Sequence, residues 1–153
     1  MKEPGETMQC PACDTPLTVH DLGRAVVEAC TNGCHGVLLD HVELRDADEA
    51  HEQLGQRVLD LFSGPPKTQP DTERRYQCPR CDMPMMRRLF KPQIRVMIDC
   101  CPNCAGIWLD HGELDAIRGA EGDSAARNLA AARAVGKLFA ARLPAMALRP
   151  TER

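Results

Sequence analysis

Cys78-Pro79-Arg80-Cys81, then Cys101-Pro102-Asn103-Cys104-Ala105-Gly106-Ile107-Trp108-Leu109-Asp110-His111-Gly112-Glu113-Leu114, is the stretch whose reading decides the fold. Two residues between cysteines make a tight knuckle that can aim both sulfurs at one ion. Two such knuckles facing each other supply the four thiolates of a structural zinc site. Cys78, Cys81, Cys101 and Cys104 therefore read as one ligand set, in the pattern Cys-x2-Cys-x19-Cys-x2-Cys, with the segment between the knuckles folding back as a β-hairpin.

The same unit occurs earlier in the chain. Cys10-Pro11-Ala12-Cys13 matches the first knuckle, and Cys34-His35-Gly36-Val37-Leu38-Leu39-Asp40-His41-Val42-Glu43-Leu44 matches residues 104–114 at seven of eleven positions. Cys10, Cys13, Cys30 and Cys34 form the second expected ligand set, with one extra residue in the knuckle Cys30-Thr31-Asn32-Gly33-Cys34. Gly33 is expected to take the backbone angle that this wider loop needs. His35 is expected to sit partly exposed beside a shell already filled by sulfur. The ninth cysteine, Cys100, aligns with Ala29 and reads as a small buried side chain.

The expected fold is a small metal-stabilised α+β protein of two zinc-ribbon modules with connecting and C-terminal helices. Leu17–His20 with Arg24–Glu28, and Met85–Phe90 with Ile94–Ile98, read as the two hairpins. The organisation is a first ribbon at 1–45, an acidic amphipathic helix at 43–62, a Pro-rich linker at 63–75, a second ribbon at 76–118, and a basic Ala-rich helix and tail at 123–148. Leu44, Ala47, His51, Leu54, Val58 and Leu61 share one face of the acidic helix. Gly119 to Gly122 is expected to break the chain before the last helix. Each ribbon lies close to the roughly 40 residues below which folding without metal, disulfides or partners is rare, so two structural Zn2+ ions are the expected cofactors.

The residues Asp99-x-Cys101-Pro102-x-Cys104-x-Gly106-x-Trp108-Leu109-Asp110-x-Gly112-Glu113-Leu114, after Cys-Pro-x-Cys, resemble the transcription-factor-IIB-like zinc-finger domain family. The resemblance covers about residues 8–45 and 76–118. It implies a zinc-ribbon fold, four cysteine ligands and no known enzymatic activity. The first copy departs from it at Leu38, at Val42 and in its longer knuckle. Asp110 and Glu113 have the form of a helix capping box, with His41 and His111 expected on the solvent side. No catalytic residue and no organic cofactor site is expected.

Composition narrows the partner. Aromatic residues make up only 3% of the chain, thin for one large core. The polar start of the chain offers no apolar leader, and no run is long enough to span a membrane, so the expected setting is cytoplasmic, where paired cysteines hold metal rather than form disulfides. The formal net charge of −3 conceals basic blocks. One holds Arg74, Arg75, Arg80, Arg87, Arg88, Lys91 and Arg95, a candidate phosphate-contacting surface. Few aromatics accompany them, which disfavours single-strand reading. The leading expectation is a non-enzymatic tandem zinc ribbon acting as a protein-interaction adaptor associated with transcription. Two alternatives are nucleic-acid binding through the basic hairpin and a zinc-linked thiol sensor built on Cys100.

Overall fold

The structure, a computed structural model, describes residues 6–23, 25–40 and 53–142, with side chains left aside for 121–128 and 136–142. The chain forms two compact units, Met1–Glu121 and Gly122–Arg153. The first contains β1 (Thr18–Asp21), β2 (Val26–Ala29), β3 (Val37–Leu39), α1 (Gln53–Leu59), β4 (Met86–Lys91), β5 (Ile94–Cys100) and β6 (Ile107–Leu109). A long helix, α2 (Glu113–Arg142), begins in the first unit and continues into the second.

Both hairpins lie within a residue or two of the expected segments. In the first, Asp21 accepts a bond on Oδ1 from the Gly23 amide at 2.8 Å, and Gly23 has a φ of 84°. That left-handed angle suits glycine, which has no Cβ to collide with the backbone. Each hairpin gains a third strand after its second knuckle, β3 or β6, giving two three-stranded antiparallel ribbons.

The two ribbons are not separate beads. β3 pairs antiparallel with β6, matching Val37 to Leu109, Leu38 to Trp108 and Leu39 to Ile107. The result is one six-stranded sheet in the order β1-β2-β3-β6-β5-β4. All three residues of β3 and of β6 are buried, as central strands covered on both faces should be.

Alternation along the strands divides the core in two. Val37, Leu39, Ile107 and Leu109 join Val27, Ala29 and Ile98 under Leu54 and Val58 of α1 and Leu114 and Ile117 of α2. Leu38 and Trp108 point the other way and pack with Leu17, Tyr76, Met85 and cysteines of both ribbons.

Of the acidic helix expected at 43–62, residues 53–59 are helical and bury Leu54 and Val58. Leu44, Ala47 and His51 lie outside the described residues. The segment 63–75 has no helix or strand, but it is no free linker. The amides of Lys67 and Thr68 donate to the Gly33 carbonyl, and that of Asp71 donates to the Ala12 carbonyl at 2.9 Å. Arg74 donates to the Pro11 carbonyl and pairs with Asp14 at 3.0 Å. The connection is thus strapped over the knuckles of the first ribbon.

The expected break at Gly119 to Gly122 is corrected by the structure, which carries α2 through without interruption. A helix interior tolerates isolated glycines at about 1 kcal/mol each when strong helix formers surround them. Here the helix is already nucleated at Glu113. Its start is therefore ten residues earlier than the expected 123, and residues 143–153 lie outside the described residues.

Candidate metal centres

The four knuckles share one backbone device. The residue after the last cysteine of each takes a left-handed angle: Asp14 at 64°, His35 at 63°, Asp82 at 59° and Ala105 at 60°. Its amide donates back to the first cysteine's carbonyl, at 3.0 Å for Asp14 and His35, 2.9 Å for Asp82 and 3.1 Å for Ala105. The first cysteine's own amide is taken by the carbonyl of Thr15, Gly36, Met83 or Gly106, each at 2.8 Å. Asp accepts such angles through local polar contacts. His35 keeps a bond to the backbone of Thr31 in its own knuckle, whereas Ala105 has no polar side chain to help it.

The eight cysteines singled out from the sequence come together in two groups of four. Cys10, Cys13, Cys30 and Cys34 form one, and Cys78, Cys81, Cys101 and Cys104 the other, with all sulfurs of a group within 4.8 Å. Sulfur pairs stand 3.5 Å apart for Cys10–Cys34, Cys13–Cys30 and Cys78–Cys104, and 3.3 Å apart for Cys81–Cys101. Zn–S bonds of about 2.3 Å place the corners of a tetrahedron about 3.8 Å apart, so the groups have the size of a closed four-cysteine site. A disulfide would need about 2.05 Å, and all nine cysteines are free. The neighbouring sulfurs of Cys30 and Cys34, and then burial, push the Cys10 thiol upward, and burial first of all pushes up that of Cys78. Such crowded sulfurs ionise together only against a divalent cation. The donor set fits two structural zinc ions, and in a filled tetrahedral shell no position remains open for a substrate.

Two readings of the first site change. Gly33 does not take a positive φ. It is required for space, since a Cβ there would lie 2.7 Å from Cys30 Sγ and 2.9 Å from Cys13 Sγ. His35 is buried, 3% exposed, stacked on Phe62 at 4.9 Å and edge-on to His111 at 5.5 Å. Desolvation, then the His111 charge, lowers its pKa. It is not in the sulfur group. His111 is exposed, and His41 lies outside the described residues.

The sites communicate through the β3–β6 seam. A Cβ built on Gly36 of the first ribbon would fall on Trp108 of the second, 2.7 Å from its Cε2. Across the seam, a Cβ built on Gly106 would lie 3.5 Å from Leu38 Cδ1 and 3.3 Å from Cys104 Sγ. Each ribbon thus lends its central strand's middle side chain to cover the other's knuckle glycine.

A buried polar network braces the second site. Trp108 Nε1 donates to Asp110 Oδ1 at 2.9 Å, and the Tyr76 hydroxyl donates to Asp110 Oδ2 at 3.0 Å. Arg87 pairs with Asp99 at 3.2 Å and stands over the Tyr76 ring at 5.3 Å. The expected capping box is half made. Glu113 Oε2 accepts the Asp110 amide at 2.7 Å, but the Asp110 carboxylate serves Tyr76 and Trp108 instead of the helix. Burial first, then the Asp110 and Asp99 charges, raises the Glu113 pKa to about 8. Tyr76 lies beyond the spacing motif, so pattern reading alone missed it.

The basic block is partly tied to partners, although Arg75, Arg87, Arg88, Lys91 and Arg95 stay exposed. Arg74, Arg80 and Arg87 pair with Asp14, Glu28 and Asp99, and Arg88 Nε donates to Cys100 Sγ at 3.2 Å. Cys100 is half-buried against the helix-side core, near the position its alignment with Ala29 suggested. In the second unit, residues 129–135 of α2 are exposed, Leu129 by 54% and Val135 by 50%. Among the described residues, no helix is long and apolar enough to cross a membrane.

Residues 77–118 match the model of a zinc-ribbon family described as "Transcription factor zinc-finger". The match covers that segment alone, and the sulfur group at residues 10–34 is consistent with a second copy. Comparisons with curated proteins and with solved structures returned no match.

Proposed function

With a zinc ribbon of that family at residues 77–118 as the premise, we propose that this protein is a non-catalytic adaptor. Its eight cysteines hold two structural zinc ions, and the fused sheet presents a surface to a protein partner of the transcription machinery. The observation that supports this is where apolar surface stays exposed. Val19 and Val26 on the first hairpin, and Met86, Leu89 and Met97 on the second, are 40–64% exposed, while both sulfur groups lie in the core. Adjoining exposed apolar residues mark interaction surfaces, as Leu89 and its cross-strand partner Met97 do, and methionine suits them because it adapts its shape.

Nucleic-acid binding has less support, because Arg74, Arg80 and Arg87 already have carboxylate partners. Photo-crosslinking in cells from positions 19, 26, 89 and 97 of zinc-loaded protein tests the adaptor reading. A discrete protein adduct, lost when Leu89 and Met97 become serine with zinc content unchanged, supports it. Adducts to nucleic acid alone refute it. A thiol-sensor role predicts zinc release by peroxide that Cys100→Ser abolishes.

A further inference from the structure

Strand β4 is the last strand of the sheet, and among the described residues it pairs only with β5. Its six residues, Met86–Lys91, are exposed at every position but one, and three of them are basic. The edge of such a strand presents unpaired N–H and C=O groups, a template for another strand. Basic side chains commonly blunt edges of this kind, and two β4 edges from two copies would set Arg87, Arg88 and Lys91 against the same residues. Self-pairing is thereby opposed, whereas an acidic strand is not.

Two further observations go beyond blunting. A groove of about 400 Å³ lies at the start of β4, lined by Glu73, Arg74, Arg75, Met86, Arg87 and Asp99 among others. Within it, among the described residues, the exposed Arg75 makes one weak bond, from Nε to the Met85 carbonyl at 3.4 Å, whereas Arg74 and Arg87 are tied to carboxylates. Beside it Met86 is 57% exposed. The groove thus offers a weakly held guanidinium and an apolar seat next to an edge that no other strand pairs among the described residues.

We propose that the edge of β4 docks an acidic, extended segment of a partner protein, which adds a strand to the sheet, sets a carboxylate against Arg75 and rests an apolar side chain on Met86. Main-chain bonds supply affinity in this mode and alternate side chains supply specificity. The inference rests on the adaptor reading and names the chemistry of its partner.

The test titrates full-length, zinc-loaded protein, by fluorescence anisotropy, with a short labelled peptide alternating valine and glutamate. Three competitors run beside it: the same peptide N-methylated on every residue, a valine–lysine peptide, and duplex DNA. The acidic peptide binds and slows hydrogen exchange at the β4 amides. Methylation abolishes binding, because side chains and charge are kept while strand pairing is lost. Arg75→Glu, an exposed change checked for unaltered zinc content, weakens it about tenfold, the equivalent of one charge-assisted contact. Absence of binding, equal binding of the methylated or lysine peptide, or displacement by DNA overturns the proposal. So does a dimer, seen by ultracentrifugation, that occupies the edge. A cellular partner that binds the Arg75→Glu protein as tightly as wild type overturns the β4 site alone; a failure to find any protein partner overturns the adaptor reading as well.

Discussion

Replacing Gly36 with alanine tests whether the two ribbons are one folding unit. Neither Gly36 nor Gly106 has a positive φ, so neither substitution meets backbone strain. Each should gain about 0.4–1 kcal/mol from a stiffer unfolded chain. The native surroundings then decide. At Gly36 the new methyl would overlap the Trp108 ring, which is fully buried and anchored by its Nε1–Asp110 bond at 2.9 Å. The ring can retreat only by straining that bond and the packing on Leu38. Overpacking of this kind costs about 1–3 kcal/mol, and weakening a buried hydrogen bond adds about 1 kcal/mol or more. At Gly106 a Cβ would stand 3.3 Å from Cys104 Sγ, tighter than a usual contact, and 3.5 Å from Leu38 Cδ1, so that a yield of a few tenths of an ångström suffices, far less than the overlap at Gly36. The two alanine variants should therefore differ by about 2–3 kcal/mol, or roughly 6–15 °C in Tm for a unit of this size. Thermal melts by circular dichroism at saturating zinc read the difference. A second change, Trp108→Leu, supplies the smaller residue that the first ribbon itself uses at this position. It should cost stability alone, yet recover most of the loss when combined with Gly36→Ala. Equal melts for the two alanine variants, or additive effects of Gly36→Ala and Trp108→Leu, would refute a seam built on that contact.

Cys78→Ser should lower bound metal, measured by elemental analysis, from two equivalents to clearly below one, because cysteines of both ribbons share one core with Leu38 and Trp108; retention of one firmly held equivalent would show independent sites. Asp110→Ala should cost about 3 kcal/mol in denaturant melts, since it strands the Tyr76 hydroxyl and the Trp108 N–H in the interior, whereas Tyr76→Phe should cost about 1 kcal/mol. The folded Glu113 carboxyl titrates near 8, above its ordinary 4.5, so the native state holds the extra proton between those values and loses stability as pH rises through that window. Relative to Glu113→Gln, the wild type should weaken by up to about 2 kcal/mol from pH 5 to pH 8, allowing for the screening of a partly exposed group; parallel pH profiles would contradict this.

Much of the architecture was readable in the residues because its causes are local. Two-residue cysteine spacings, alternation in Ile94, Val96 and Ile98, and the Asp21-Leu22-Gly23 turn each act over a few positions. Helix boundaries were less legible at Gly119 to Gly122, where weak propensity favoured a break and a helix begun at Glu113 ran on through it. The state of the basic block was also hidden. Arg74 and Asp14 are 60 residues apart, and no short-range pattern joins them.

Repetition, cysteine spacing and strand alternation by themselves determined that the chain carries two zinc ribbons, because metal-ligand geometry is encoded within each knuckle and needs nothing from afar. Tertiary structure alone decided that the ribbons share one sheet, that Trp108 covers Gly36, and that Asp110 holds Tyr76 and Trp108 instead of the helix end. Those outcomes depend on which surfaces exclude water together, and that is set only when segments distant in the chain meet.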